Sequence, residues 1–183
     1  MVRMLTERER QSALDRLTRS RQTLLDAVNG VTENQARWKP APDRWSILEY
    51  VEHLALSDGE LIALIERSLK TPAQPETEEQ RRQREQKIRE TPMPRGTNRA
   101  PEQLRPGARF SSLAQAVSAF EDARERSLDF ARTTQRDLRS HFAPHSVLGP
   151  MDGYQWLVGN AHHAESHAAH IQEIKTLAGY PAA

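Results

Sequence analysis

Three times in its first fifty residues the chain uses one local device, a Ser or Thr followed three positions later by Glu or Gln: Thr6 with Glu9, Thr32 with Gln35, and Ser46 with Glu49. In such a capping box the hydroxyl accepts a backbone N–H from the first helical turn. The acid or amide reaches back to the cap's own N–H, so donors orphaned at a helix start are satisfied on the spot. Leu14, Leu17, Leu24, Leu25 and Val28 follow the first box at helical spacing with charged residues between them, which predicts a helix from Thr6 to about Val28, stopped at Asn29-Gly30. The second box heads one short turn, broken by Pro40 and Pro42. The third, in SILE, opens a helix expected to run to about Leu69. Ser111 or Ser112 starts another, carrying Leu113, Val117, Phe120, Ala123, Leu128 and Phe130 and fading after Thr134. Asp152 suits the N-cap of a last helix reaching about Leu177, closed by Gly179 and Pro181.

Four long helices, with no strand-like alternation and no repeat of fixed period, predict an all-α four-helix bundle forming a single domain over residues 1–183. The short connection between the third and fourth long helices favours antiparallel neighbours. Residues 71–110 form a long excursion between the second and third, which permits a crossover. That excursion is rich in proline and charge and nearly free of apolar side chains. It reads as a solvated loop with at most a helical turn or two in its acid- and arginine-rich middle. A loop of this length within one domain is expected to be functional or to make an oligomer contact.

Charge and composition narrow the chemistry. Lys plus Arg number 26 against 25 Asp plus Glu, interleaved along the chain, so no basic face for nucleic acid is expected. There is no cysteine, which excludes disulfides and thiolate ligands and leaves nitrogen and oxygen donors for any metal. The N-terminus is charged from residue 3 and has no apolar core of a signal peptide, and no window approaches a membrane span. A cytoplasmic location and no membrane partner are therefore expected.

Four of the seven histidines, His162, His163, His167 and His170, crowd into GNAHHAESHAAHIQEIK near the C-terminus. At ~100° per residue, His163, His167 and His170 share an arc of about 60° on the last helix, while His162 projects about 100° away. Trp156, Asn160, Ile174 and Leu177 extend the same stripe, so the trio should face the bundle interior. His163 and His167 are an i, i+4 pair, the spacing that stacks two imidazoles one turn apart within reach of one ion. On spacing alone, such a pair is equally well explained as ordinary core or surface histidines. A third ligand must come from His53, His141 or His145. His53 lies on the second long helix, roughly 140° from the centre of its apolar arc, near the margin marked by Tyr50, Ser57 and Leu64. A ligand there implies a site beside a groove open to solvent; spacing alone favours an exposed histidine.

WSILEYVEHLALSDGEL, the ARWKPAPDR before it, and HSVLGPMDGYQWLVGNAHHAESHAAHIQEIK together resemble the DinB/YfiT-like superfamily of metal-binding bundles over nearly the whole chain. The resemblance implies a four-helix bundle with a divalent metal, zinc or nickel, held by His53, His163 and His167 with open positions for water or substrate, and it implies a homodimer. Two positions depart from the family pattern. Ala164 stands where relatives often carry an acid, and His170 stands where many carry glutamine; His170 is thus a candidate hydrogen-bond partner of a ligand histidine, a fourth ligand, or a plain core histidine.

A site of neutral histidines and water can lower the pKa of bound water or bind a thiolate. The resulting expectation is a metal-dependent enzyme acting on a small molecule, by hydrolysis or by transfer of a low-molecular-weight thiol. The alternative is a non-catalytic metal-binding or dimeric stress-response bundle. Glu60, seven residues past His53, is a candidate for a catalytic base or for a hydrogen-bond partner of a ligand histidine, and a solvated glutamate paired to arginine is its simpler reading. Asp58 falls on the apolar face and would need a partner if buried.

Overall fold

Each helix-start signal read from the sequence is realised in the computed structural model, which describes residues 3–74, 76–91 and 100–182. Helix α1 spans Glu7–Val28, the short α2 spans Glu33–Arg37 and α3 spans Ile47–Ser68, each behind the expected capping box at Thr6, Thr32 and Ser46. Ser112 caps α5 at Leu113–Thr133, and Asp152 caps α6 at Gly153–Lys175, with Gln155 completing a box there as well. Gly30, just past α1, takes φ +72°, the left-handed turn that ends a helix without a Cβ clash.

Three expectations are revised. First, residues 71–110 are not merely loop: α4 covers Glu78–Glu90, thirteen residues behind a fourth capping box, Thr77 with Gln80. Its face carries a single large aliphatic residue, Ile88, so there is no apolar period to read; Glu–Arg and Gln–Glu pairs such as Arg81–Glu78 at 2.9 Å and Gln83–Glu79 at 2.9 Å lace it instead. Position 75 and residues 92–99 of that excursion lie outside the described residues, as do residues 1, 2 and 183 of the expected 1–183 domain. Second, β1 at Phe142–His145 and β2 at Gly149–Asp152 form an antiparallel hairpin, with Pro144 opposite Pro150. A proline in each strand hides any alternation. Third, α5 and α6 are not neighbours. Helix α1 packs on α6 and α5, and α3 packs on α5 and α6, so α1 faces α3 across the bundle and α5 faces α6. The residues between Thr133 and Gly153, hairpin included, are long enough to cross the bundle end.

Leu17 and Leu24 of α1, Leu54 and Ile65 of α3, Phe120 of α5, and Leu157 and Ile171 of α6 are fully buried between the helices. Each such side chain contributes roughly 1.5–3 kcal/mol of transfer free energy. The core also holds charge. Arg124 of α5 meets Asp58 of α3 at 2.8 Å through Nε and 3.1 Å through Nη2, with neither side chain reaching solvent. Its other amino group donates to Ser20 Oγ at 2.7 Å and the Leu17 carbonyl at 3.3 Å on α1, so one residue ties three helices. Near the bundle end Arg139 bridges Glu9 of α1 at 3.1 Å, Glu85 of α4 at 2.8 Å and the α6 cap Asp152 at 2.7 Å. No helix among the described residues is long and apolar enough to cross a membrane.

Candidate metal centre

The Ser46 box fixes where α3 begins and so the rotation at which its first two turns enter the bundle. It sets Tyr50, Val51 and Leu54 into the core and turns His53 toward α6. The Asp152 box does the same for α6, and one turn apart on the inner side of that helix stand His163 and His167. The three rings converge. His53 Nε2 lies 3.1 Å from His163 Nε2, His163 Nε2 lies 2.9 Å from His167 Nε2, and the three ligand nitrogens all fall within 4.8 Å of one another. The rings are steeply inclined to each other, at 88°, 80° and 68° between planes, like blades around a common point.

Hydrogen bonding settles one tautomer. His53 Nδ1 is 2.8 Å from the Leu104 carbonyl, which can only accept, so Nδ1 carries the proton and Nε2 of the neutral ring turns a lone pair toward the other two histidines. His167 Nδ1 sits 3.3 Å from Nδ1 of His170, whose ring also lies 5.8 Å from Tyr50. Burial holds all three rings toward the neutral form. It pushes the His53 pKa below the ordinary 6.5, against the Leu104 bond that favours the charged ring. It pushes His163 and His167 well below 6.5, where the repulsion of neighbouring cationic rings adds to it. Trp45, 4.9 Å from His53 and 6.4 Å from His167, and Tyr50, 5.1 Å from His167, wall the inner side; His163 keeps partial exposure.

These residues fit a divalent cation. Three nitrogens so close cannot all be satisfied by the protons that neutral rings carry inward, and His53 contributes none. A tetrahedral ion with bonds of about 2.05 Å places donors roughly 3.3 Å apart, close to the 3.1 and 2.9 Å that separate His163 Nε2 from its two neighbours. An all-imidazole set suits zinc, nickel, copper or iron, whereas magnesium and calcium want oxygen.

The remaining candidates disperse. His53 is not at an open margin: it is 5 % exposed, because residues 100–110 lie along that flank of α3. Glu60 stands on solvent, 3.8 Å from Arg67; seven residues keep it on the same flank but carry it about 10 Å along the axis, too far to serve the rings. Asp58 is buried and has the partner it needed, Arg124. His162 projects away from the cluster, as its angle on the helix implies, and bonds the Thr91 carbonyl at 3.0 Å beyond α4. His141 bonds the Thr71 carbonyl at 2.8 Å, while His145 Nδ1 accepts the Val147 and Leu148 amides, both at 3.1 Å, and closes the hairpin loop. Sequence reasoning passed over Leu104, whose part is played by its backbone, and Glu52. The Glu52 carboxylate, 1 % exposed beside His53, accepts the Gly107 amide at 2.8 Å and the Arg109 amide at 3.1 Å. An acid directly before a candidate ligand, on a flank that reads as solvent-facing, carries no signal until the covering segment is known.

The family model of the DinB superfamily matches residues 16–171. YuaE of Bacillus subtilis (strain 168), an uncharacterized protein, is 26 % identical over 149 residues, 81 % of this chain and 88 % of that one. Among solved structures, YfiT from Bacillus subtilis superposes with a TM-score of 0.61 at 16 % identity, covering 93 % of this chain and 88 % of its own. YfiT is described as a probable metal-dependent hydrolase with an unusual four-helix bundle topology. At that identity the likeness is one of fold alone.

Proposed function

The chain belongs to the DinB superfamily, and on that footing we propose that it is a metal-dependent enzyme in which His53, His163 and His167 hold a divalent ion, zinc or nickel, for the hydrolysis of a small molecule. The observation that carries this reading is the convergence of three neutral imidazoles, one with its lone pair fixed inward by the Leu104 carbonyl. When bound, the ion supplies Lewis acidity and brings the pKa of coordinated water toward 7. The chain's own part is to keep that centre cationic and oriented. Three uncharged ligands do not offset the ion's charge, and the ligand group found among the described residues contains no carboxylate. Trp45 and Tyr50 exclude water from the inner side and leave the partly exposed His163 side for substrate. The description of YfiT supports hydrolysis as the reaction class.

The test is turnover. Protein loaded with Zn²⁺ or Ni²⁺ is assayed against panels of simple esters and amides, and against common thiols with a chromogenic electrophile. Metal-dependent hydrolysis that is abolished by chelation and in His163→Ala is the expected result. Turnover confined to the thiol panel would move the reading to thiol transfer. No turnover by the metal-loaded protein on any panel would leave a non-catalytic metal-binding bundle.

A further inference from the structure

Residues 100–110 form a strap across α3. Ala100 and Phe110 are packed against the bundle core at its two ends, and Pro101 and Pro106 stiffen the span between. Arg105 Nε donates to the Ala100 carbonyl at 2.7 Å, which ties the strap to itself. It touches α3 through neighbouring residues. His53 Nδ1 donates to the Leu104 carbonyl, and Glu52 grips the Gly107 and Arg109 amides.

The Glu52 contact is chemically particular. Between the two amides lies Ala108, the one described non-glycine residue with positive φ, at +57°. A left-handed residue flanked by two inward amides makes a backbone nest, a concavity that binds an anion. An alanine there is strained, and such strain persists only where the surroundings over-determine it. A buried carboxylate with two charge-assisted hydrogen bonds does that. The Leu104 carbonyl that meets His53 lies three residues before this nest.

We propose that Glu52 is a positioning residue, the latch of a strap whose closure holds the His53 ring in its ligating tautomer and orientation and so sets how slowly a divalent ion leaves the three-histidine site. This rests on the metal reading above. The partner of a ligating imidazole's second nitrogen typically governs metal affinity by 10–100-fold. Here that partner is a backbone carbonyl, which mutation cannot remove, and its position is handed to Glu52.

The experiment loads the full chain with one Zn²⁺ and times its release into an excess of chromogenic chelator, alongside thermal melting of the metal-free proteins. Both amides donate to one oxygen of Glu52, so Glu52→Leu, which removes that acceptor while keeping a side chain of similar bulk, opens the nest. Ala108→Val leaves Glu52 intact and, at an exposed position, raises the cost of the left-handed turn without touching the core. Release faster by about tenfold or more in Glu52→Leu, and in the same direction in Ala108→Val with melting near wild type, is expected. Release at the wild-type rate in both variants would overturn the latch while leaving the metal site standing. A wild type that binds no ion stoichiometrically would remove the metal reading, and the latch with it.

Discussion

The metal reading turns on imidazoles kept neutral by burial, and that has a consequence for the metal-free protein. Unfolded histidines take up a proton near pH 6.5, whereas folded His53, His163 and His167 resist until lower pH. At these three groups the unfolded chain therefore binds more protons below 6.5, and the stability they contribute falls as pH falls, partly opposed by Asp152, whose carboxyl burial pushes up to about 7. Each histidine costs about 1.4 kcal/mol per pH unit within its window. Urea unfolding of the metal-free protein at pH 7.5 and 5.5 should show a clear loss at the lower pH, and His163→Ala should flatten the slope. A second residue-scale prediction concerns Asp58. Asp58→Ala strands the Arg124 guanidinium in the core and should destabilise by about 3–5 kcal/mol, while Asp58→Leu combined with Arg124→Leu should recover much of it. Equal losses in the single and double variants would mean that the pair is not acting as a unit.

Among the elements, those that announce themselves are those whose stability is local. Capping boxes at Thr6, Thr32 and Ser46 and the Asp152 cap were legible because a helix start must satisfy its own donors, whatever packs on it. Helix α4 carried the same signal at Thr77 and Gln80, but only Ile88 gave it an apolar face, so its existence depends on docking rather than on periodicity. The hairpin was masked by Pro144 and Pro150. The flank of α3 that carries His53 reads as solvent-facing, yet it is buried, because residues 100–110, fifty positions away and without apolar pattern, cover it. Local rules do not reach that far. Docking of α4 itself can be tested at Arg139, whose guanidinium joins Glu85 of α4 to Glu9 and Asp152. Arg139→Met leaves three carboxylates unpaired and should cost about 3–5 kcal/mol, with amide exchange accelerating in Glu78–Glu90 before the rest of the bundle. Unchanged protection of α4 would contradict that anchoring.

For the whole molecule, the topology matters more than the count of helices. Placing α1 across from α3 and α5 across from α6 makes α3 and α6 direct neighbours, and these are the two helices that carry the three histidines. A ring in chain order would make α3 and α6 diagonal, leaving the rings across the core from one another. The central claim is that the juxtaposition binds a metal, and metal content measured by elemental analysis tests it most directly. Protein purified without a metal column and equilibrated with Zn²⁺, then dialysed, should retain one ion per chain in the wild type and far less in His53→Ala, His163→Ala and His167→Ala, each still folded by circular dichroism. Equal metal content in all four proteins would contradict the account.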